Sequence, residues 1–153
     1  MKDIPSEMYD FVADITSNIV MASQADDEVL RESLFERLSA YYQDLAERNC
    51  LHPFVVETLA DFTHDPHEAV RLYDQALALS DSDDPWHTIL IYQGRAFLAL
   101  GNESRALEVL TRARDEAARQ HDDYYLKEAE TLLAEFSSNG ILLSRKRECT
   151  QGV

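Results

Sequence analysis

The chain has 153 residues, of which 45% are hydrophobic and only 4 are glycine and 4 proline, a composition that excludes a disordered or collagen-like polymer and suits one folded domain with a core. Acidic residues number 29 against 14 basic ones, a formal net charge of -15. Such a surface would repel phosphates, which argues against nucleic acid as a partner, and would speed the capture of a basic protein. No apolar run is long enough to cross a bilayer, so no membrane partner is expected. The opening Met-Lys-Asp-Ile-Pro-Ser-Glu has no apolar signal core behind a basic start, so no export signal is expected. The 2 cysteines, Cys50 and Cys149, match no metal or redox spacing, and a reduced cytoplasmic protein is the expectation.

Apolar residues then recur at helical rather than alternating spacing. Met8, Phe11, Val12, Ile15 and Ile19 form one stripe and predict a first helix over about Ile4 to Ala22, with Pro5 and Ser6 at its start. Ser23 to Asp27 reads as a turn. Leu30, Leu34, Leu38, Tyr41 and Leu45 predict a second helix from about Asp27 to Arg48, whose acidic first turn (Asp26, Asp27, Glu28) suits the positive end of a helix dipole. Phe35 and Tyr42 broaden that stripe, so two flanking neighbours are expected. Asn49 to Pro53 breaks the pattern, with Cys50 and Leu51 expected beneath it.

A third helix is predicted over Pro53 to Thr63 and a fourth over Pro66 to Leu79, and the short link Thr63-His64-Asp65-Pro66 makes them an antiparallel pair. Ser80 to Asp84 is a polar, acidic connector. Asp84 is expected to cap a fifth helix with Pro85 in its first turn, and Leu90, Gly94 and Phe97 share one face. Gly101 suits the left-handed residue that ends a helix. A sixth helix restarts at Asn102 or Glu103 and carries Ala106, Leu107, Leu110, Ala113 and Ala117 on one stripe. Small residues at Gly94, Ala106 and Ala113 would let two helix backbones approach closely, with Phe97 and Leu110 filling the remaining space. Ala69, Tyr73 and Ala76 precede Ala106, Leu110 and Ala113 at a constant offset, the mark of an internal repeat. A seventh helix is predicted over Asp122 to Phe136, with Tyr125, Ala129, Leu132 and Phe136 inward and Asn139-Gly140 closing it. The expected organisation is one all-helical domain over residues 1–139, with a helix pair in 1–50 and repeats in 51–136. A tail over 140–153 contains the basic cluster Arg145-Lys146-Arg147.

Little in the chain reads as chemistry. His64 and His67 flank Asp65-Pro66 and could share a zinc ion, yet no second histidine or cysteine pair stands nearby, and a helix cap explains the stretch better. Asp83-Asp84 and Asp122-Asp123 fall at helix starts, where the dipole favours acids. Cys50 precedes His52, but a nucleophile and base need an orienting third group. No phosphate loop, nucleophile elbow or metalloprotease helix occurs. No enzyme, metal or cofactor is expected. In each of the pairs Tyr41-Tyr42 and Tyr124-Tyr125, one ring should face the core and the other is available to an interface.

Gly94, Phe97, Gly101, Ala106 and Ala113 match, in order, the tetratricopeptide repeat: a small residue within helix A, an aromatic three later, a turn glycine and two helix-B alanines. Ala60, Ala69, Tyr73 and Ala76 match in the preceding pair, and Ala129 with Leu132 in a following half-repeat. The chain thus resembles that family over about Leu51 to Phe136, with Leu90 where the family has an early aromatic and a longer connector at Ser80 to Asp84. The resemblance implies an all-α stack of antiparallel helical hairpins, about seven helices in a right-handed superhelix, whose concave face binds protein. Carried over, that face comprises Phe54, Thr58, Asp61 and Phe62 in the first pair and Thr88, Ile91, Tyr92, Arg95 and Leu98 in the second. Leu126, Lys127 and Glu130 complete it. Phe54, Thr58 and Tyr92 stand where carboxylate-clamp members of the family carry polar clamp residues, so a chaperone-tail clamp is not expected. With the net charge, the expectation is an acidic inhibitor or immunity-type protein that masks a basic partner such as a toxin. The alternatives are a chaperone or adaptor for secreted or multi-subunit cargo and, behind it, a metal-dependent enzyme on the histidine pair.

Overall fold

The computed structural model describes residues 3–81 and 84–135, and every regular element among them is a helix. The chain divides into two units, Met1–Asp84 and Pro85–Val153. The first contains α1 (Ser6–Gln24), α2 (Glu28–Glu47), α3 (Pro53–Phe62) and α4 (Pro66–Leu79). Short links fold α1 onto α2 and α3 onto α4, and α2 also touches α3.

Local chemistry sets these boundaries. Asp27 accepts a hydrogen bond from the Leu30 N–H at 3.0 Å, and Asp65 from the His67 N–H at 3.0 Å. His52 does the same through Nδ1 for the Phe54 N–H at 3.2 Å. Each bond satisfies a donor that the first turn of a helix leaves open. Pro53 and Pro66 occupy first-turn positions, where a missing N–H costs nothing. Asp26 and Asn49, at φ 54° each, turn the chain out of α1 and α2 in the left-handed region. Val12, Ile15, Ile19, Leu38, Leu45, Val55, Val56, Leu72 and Ala76 form the core of the unit.

Two packing expectations fail here. Leu30 is 47% exposed, because the first turn of α2 stands clear of the core, as its neighbour Val29 at 81% also records. Cys50 is exposed rather than tucked under the break, and its thiol donates to the Arg48 carbonyl at 3.3 Å. The chain turns inward only at His52 and Pro53.

The second unit contains α5 (Trp86–Ala99), α6 (Glu103–Arg119) and a further helix, α7, over residues 123–135. Asp84 does not cap α5, which begins at Trp86 with Pro85 before it and no side-chain cap. The Asp84 carboxylate instead folds back to accept the Asp81 N–H at 2.8 Å. Gly101 takes φ 68°, and the following Asn102 N–H returns to the Phe97 carbonyl at 2.9 Å, closing α5 as a left-handed cap does. Asn102 then caps α6 through the Arg105 N–H at 3.3 Å.

Ala106, Val109, Leu110, Ala113 and Ala117 form the buried stripe of α6. Leu107 is 46% exposed. Successive helical residues rotate by about 100°, which carries Leu107 off a stripe centred on Ala106, Leu110 and Ala113. Of the residues expected to pack the repeats, Ala69, Tyr73, Ala76, Gly94, Phe97, Ala106, Leu110, Ala113 and Ala129 are all buried. Phe136, Asn139-Gly140, Cys149 and the Arg145-Lys146-Arg147 cluster lie outside the described residues.

Gly94 is a point of close approach in the α5–α6 pair. A Cβ there would lie 2.6 Å from both Cγ and Cδ2 of Leu110, a side chain with no exposed surface. Gly94→Ala is therefore expected to cost about 1–3 kcal/mol through overpacking. Better helix propensity returns at most about 1 kcal/mol of this. Urea titration should show a lower midpoint at an unchanged slope; an equal or higher midpoint would mean that α5 and α6 are not in van der Waals contact at this residue.

Candidate partner-binding groove

Close packing within each helix pair of the first unit leaves an open groove of about 730 Å³. It is bounded by the end of α1, by α2, and by α3 with α4 and their link. Its apolar lining comes from Ile19, Phe35, Leu59, Phe62 and Leu72. Five carboxylates border it, namely Glu28, Glu32, Asp61, Asp65 and Glu68, against one arginine, Arg31, and one histidine, His64.

Local pairs already occupy most of these charges. Arg31 donates to Glu28 one turn earlier on α2 and to Nε2 of His64 on the α3–α4 link. Glu68 is gripped by Arg71 through two bonds of 2.6 and 2.8 Å, which hold its carboxyl below the usual carboxylate range. Asp65 serves α4 as its cap.

Asp61 differs. Its carboxylate accepts one hydrogen bond, from the Tyr73 hydroxyl at 2.7 Å, and enters no ion pair among the described residues. Burial pushes its pKa up to about 6, against the opposing pull of the Tyr73 bond. The residue as a whole is nevertheless exposed on its groove side. Protein atoms around the carboxyl displace the water that would otherwise stabilise its charge.

The residues expected to bind a partner divide accordingly. Asp61 and Phe62 line the groove. Phe54 instead stacks on Tyr9 of α1, ring centres 5.8 Å apart, and the Thr58 hydroxyl returns to the Phe54 carbonyl at 2.6 Å. Arg31, Glu32 and Phe35 of α2 enter the groove although no repeat pattern marked that helix as binding surface. A long acidic helix beside a short pair was the only signal available for them.

In the second unit, Ile91 is a correction: it has no exposed surface and belongs to the core, because α5 buries residues on several of its faces. Thr88 donates to the Pro85 carbonyl at 2.9 Å. Arg95 lies 5.6 Å from the centre of the Tyr92 ring and bridges to Glu128 of α7 at 2.5 Å. Leu98 and Leu126 are half-buried, while Lys127 and Glu130 are exposed.

The tyrosine pairs behave differently from each other. Tyr124 is 73% exposed beside a half-buried Tyr125, as expected. Tyr41 and Tyr42 are both half-buried, one against Phe11 and the other donating to Gln75 at 2.8 Å.

Polar contacts between helices of the second unit escaped the sequence, the Arg95–Glu128 bridge and a buried histidine among them. His87 is buried, and its Nε2 lies 3.1 Å from Oδ2 of Asp122, which also caps α7 through the Tyr125 N–H at 3.2 Å. The Tyr125 N–H first and His87 second hold the Asp122 carboxyl below its ordinary range. The cap was legible, but its histidine partner lies 35 residues away and only the fold joins them. Among the described residues no cluster of three or more metal-ligating side chains forms; His64 contacts Arg31 and His67 stands exposed. No described helix is long and apolar enough to cross a membrane. No protein-family model, no curated protein and no solved structure matches the chain.

The raised Asp61 pKa has a signed consequence for stability. A carboxyl whose folded pKa exceeds its unfolded value favours the folded state while protonated and loses that contribution as pH rises through the folded value. For Asp61 the window runs from 3.8 to about 6. Asp61→Asn retains an acceptor for Tyr73 and carries no charge, so its melting temperature relative to wild type should climb across that window and level off above it. A difference that stays flat with pH would show that the Asp61 carboxylate is as well solvated folded as unfolded.

Proposed function

We propose that this chain is a non-enzymatic, tetratricopeptide-like protein-binding module that acts in the cytoplasm. The more specific reading is an acidic inhibitor of immunity type, which covers and masks a basic partner protein such as a toxin. The observation that carries it is the groove of the first unit, an apolar channel bordered by Glu28, Glu32, Asp61, Asp65 and Glu68 with Arg31 as its one arginine. Apolar lining supplies affinity for the greasy side of a segment, and the carboxylates select for cationic side chains beside it. The net charge of -15 adds a long-range attraction for a basic protein before contact.

Affinity capture from the native cell tests this reading. Wild-type protein should retain a basic partner whose association slows as salt rises toward physiological strength, where screening acts within about 8 Å. Glu28→Lys/Glu32→Lys, which reverses the α2 border of the groove at exposed positions, should lose that partner while keeping its helical circular dichroism. Retention of only acidic or neutral proteins, or of the same partner by the reversed variant, would overturn it. Retention of many unrelated segments in place of one tight partner would favour a chaperone or adaptor.

A further inference from the structure

A second recess of the first unit, about 680 Å³, lies where the start of α1 meets the end of α2 and the link into α3. Met8, Phe11, Leu45 and Leu51 give it an apolar wall, and both Cys50 and His52 line it. Residues 50–52 belong to no helix, and His52 is extended at φ -116°, ψ 138°. Side chains two apart on an extended chain point to one face, about 7 Å from each other. The Cys50 thiol is exposed and rests on the Arg48 carbonyl at 3.3 Å. His52 is only 9% exposed, with Nδ1 taken by the Phe54 N–H and Nε2 left without a partner. A ring nitrogen that accepts an N–H carries no hydrogen of its own, so the ring is neutral and its hydrogen is on Nε2. The Phe54 N–H thus orients His52 as a donor and not as a base for the thiol. A buried donor without an acceptor is costly, and native interiors rarely keep one.

We propose that this recess is a modification site, in which Cys50 adds to an uncharged α,β-unsaturated carbonyl compound with an apolar tail while His52 donates to the carbonyl oxygen. The tail lies along Met8, Phe11 and Leu45. Charge selects an uncharged molecule, because Asp3 and Glu7 also line the recess and Arg48 is already held by Asp44 at 3.0 Å. In the addition the Cys50 sulfur bonds to the β-carbon as the carbon–carbon π bond breaks, and that electron pair moves toward the carbonyl oxygen. Nε2–H meets the oxygen as negative charge develops on it, where a fixed donor matters most. The α-carbon then takes up a proton in place of the one lost from the thiol, so nothing is oxidised or reduced. The recess is at the opposite end of the α1–α2 pair from the groove, so the two readings stand or fall separately.

The test uses the Cys149→Ser chain, in which Cys50 is the one thiol. Its rates with trans-2-nonenal, trans-2-butenal and iodoacetamide are followed by intact mass at constant pH, with glutathione as the free-thiol reference and peptide mapping to place the adduct. Dividing by the iodoacetamide rate removes differences in thiol exposure and ionisation. On that scale nonenal should add to Cys50 about tenfold faster than to glutathione, and butenal should gain less, since its short tail covers little of the apolar wall. His52→Asn keeps a side-chain acceptor for the Phe54 N–H and loses Nε2–H. It should slow nonenal about tenfold or more and leave iodoacetamide unchanged, which lost packing alone would not do. A nonenal rate on that scale equal to glutathione's, an adduct placed away from Cys50, an unchanged nonenal rate in His52→Asn, or equal slowing of both reagents would overturn the site. Should His52→Asn lose its helical circular dichroism, the nonenal-to-butenal ratio of the chain with His52 intact decides alone: a ratio matching glutathione's overturns the site, and a clearly larger one upholds it.

Discussion

Where α5 passes α6, Gly94 leaves the Leu110 side chain no room for even a methyl group between the two backbones. Alanines with little or no exposed surface do similar work along the facing stripes: Ala106, Ala113 and Ala117 on α6, and Ala69 and Ala76 on α4. Small side chains bring helix axes close, and dispersion contacts with the larger neighbours then fill the seam to interior density. A hairpin packed this way still has apolar surface left over. That remainder is what lets the first unit close a core and keep an apolar channel open between α2 and the α3–α4 pair.

Charge acts differently at the surface and in the channel. Several arginines sit three or four residues from an acid on their own helix, as Arg48 with Asp44, Arg71 with Glu68 and Arg105 with Glu108. Exposed pairs of that kind contribute about 0–1 kcal/mol each and do not define the fold. Asp61 has no such partner, and burial of its carboxyl raises its pKa.

Helix existence was legible throughout, and α4 matches its expected span from Pro66 to Leu79. Periodicity, first-turn prolines and aspartate caps are local signals, and local signals decide where helices begin and end. The misses share a different character. Ile91 was assigned to a surface because a repeat template has one outward face there, but its own environment buries it. Leu30 and Leu107 were assigned to cores from spacing alone, although one lies in a helix turn beyond the core and the other off the axis of its stripe. Asp84 had the right residue type for a cap and stands one position too early, so it bonded backward to Asp81. Of the groove, Asp61 and Phe62 were named in advance, whereas the contribution of α2 and the isolation of Asp61 depend on helices meeting across gaps that spacing does not encode. The His87–Asp122 contact is of the same kind.

Amide hydrogen exchange with and without a capped amphipathic peptide of leucine and arginine is the most direct measurement of whether the groove is a binding surface. Slower exchange confined to the parts of α2, α3 and α4 that line it, from about Glu28 to Ser39 and Leu59 to Leu72, is the expected result. Slower exchange limited to the second unit, or none at saturating peptide, would contradict it.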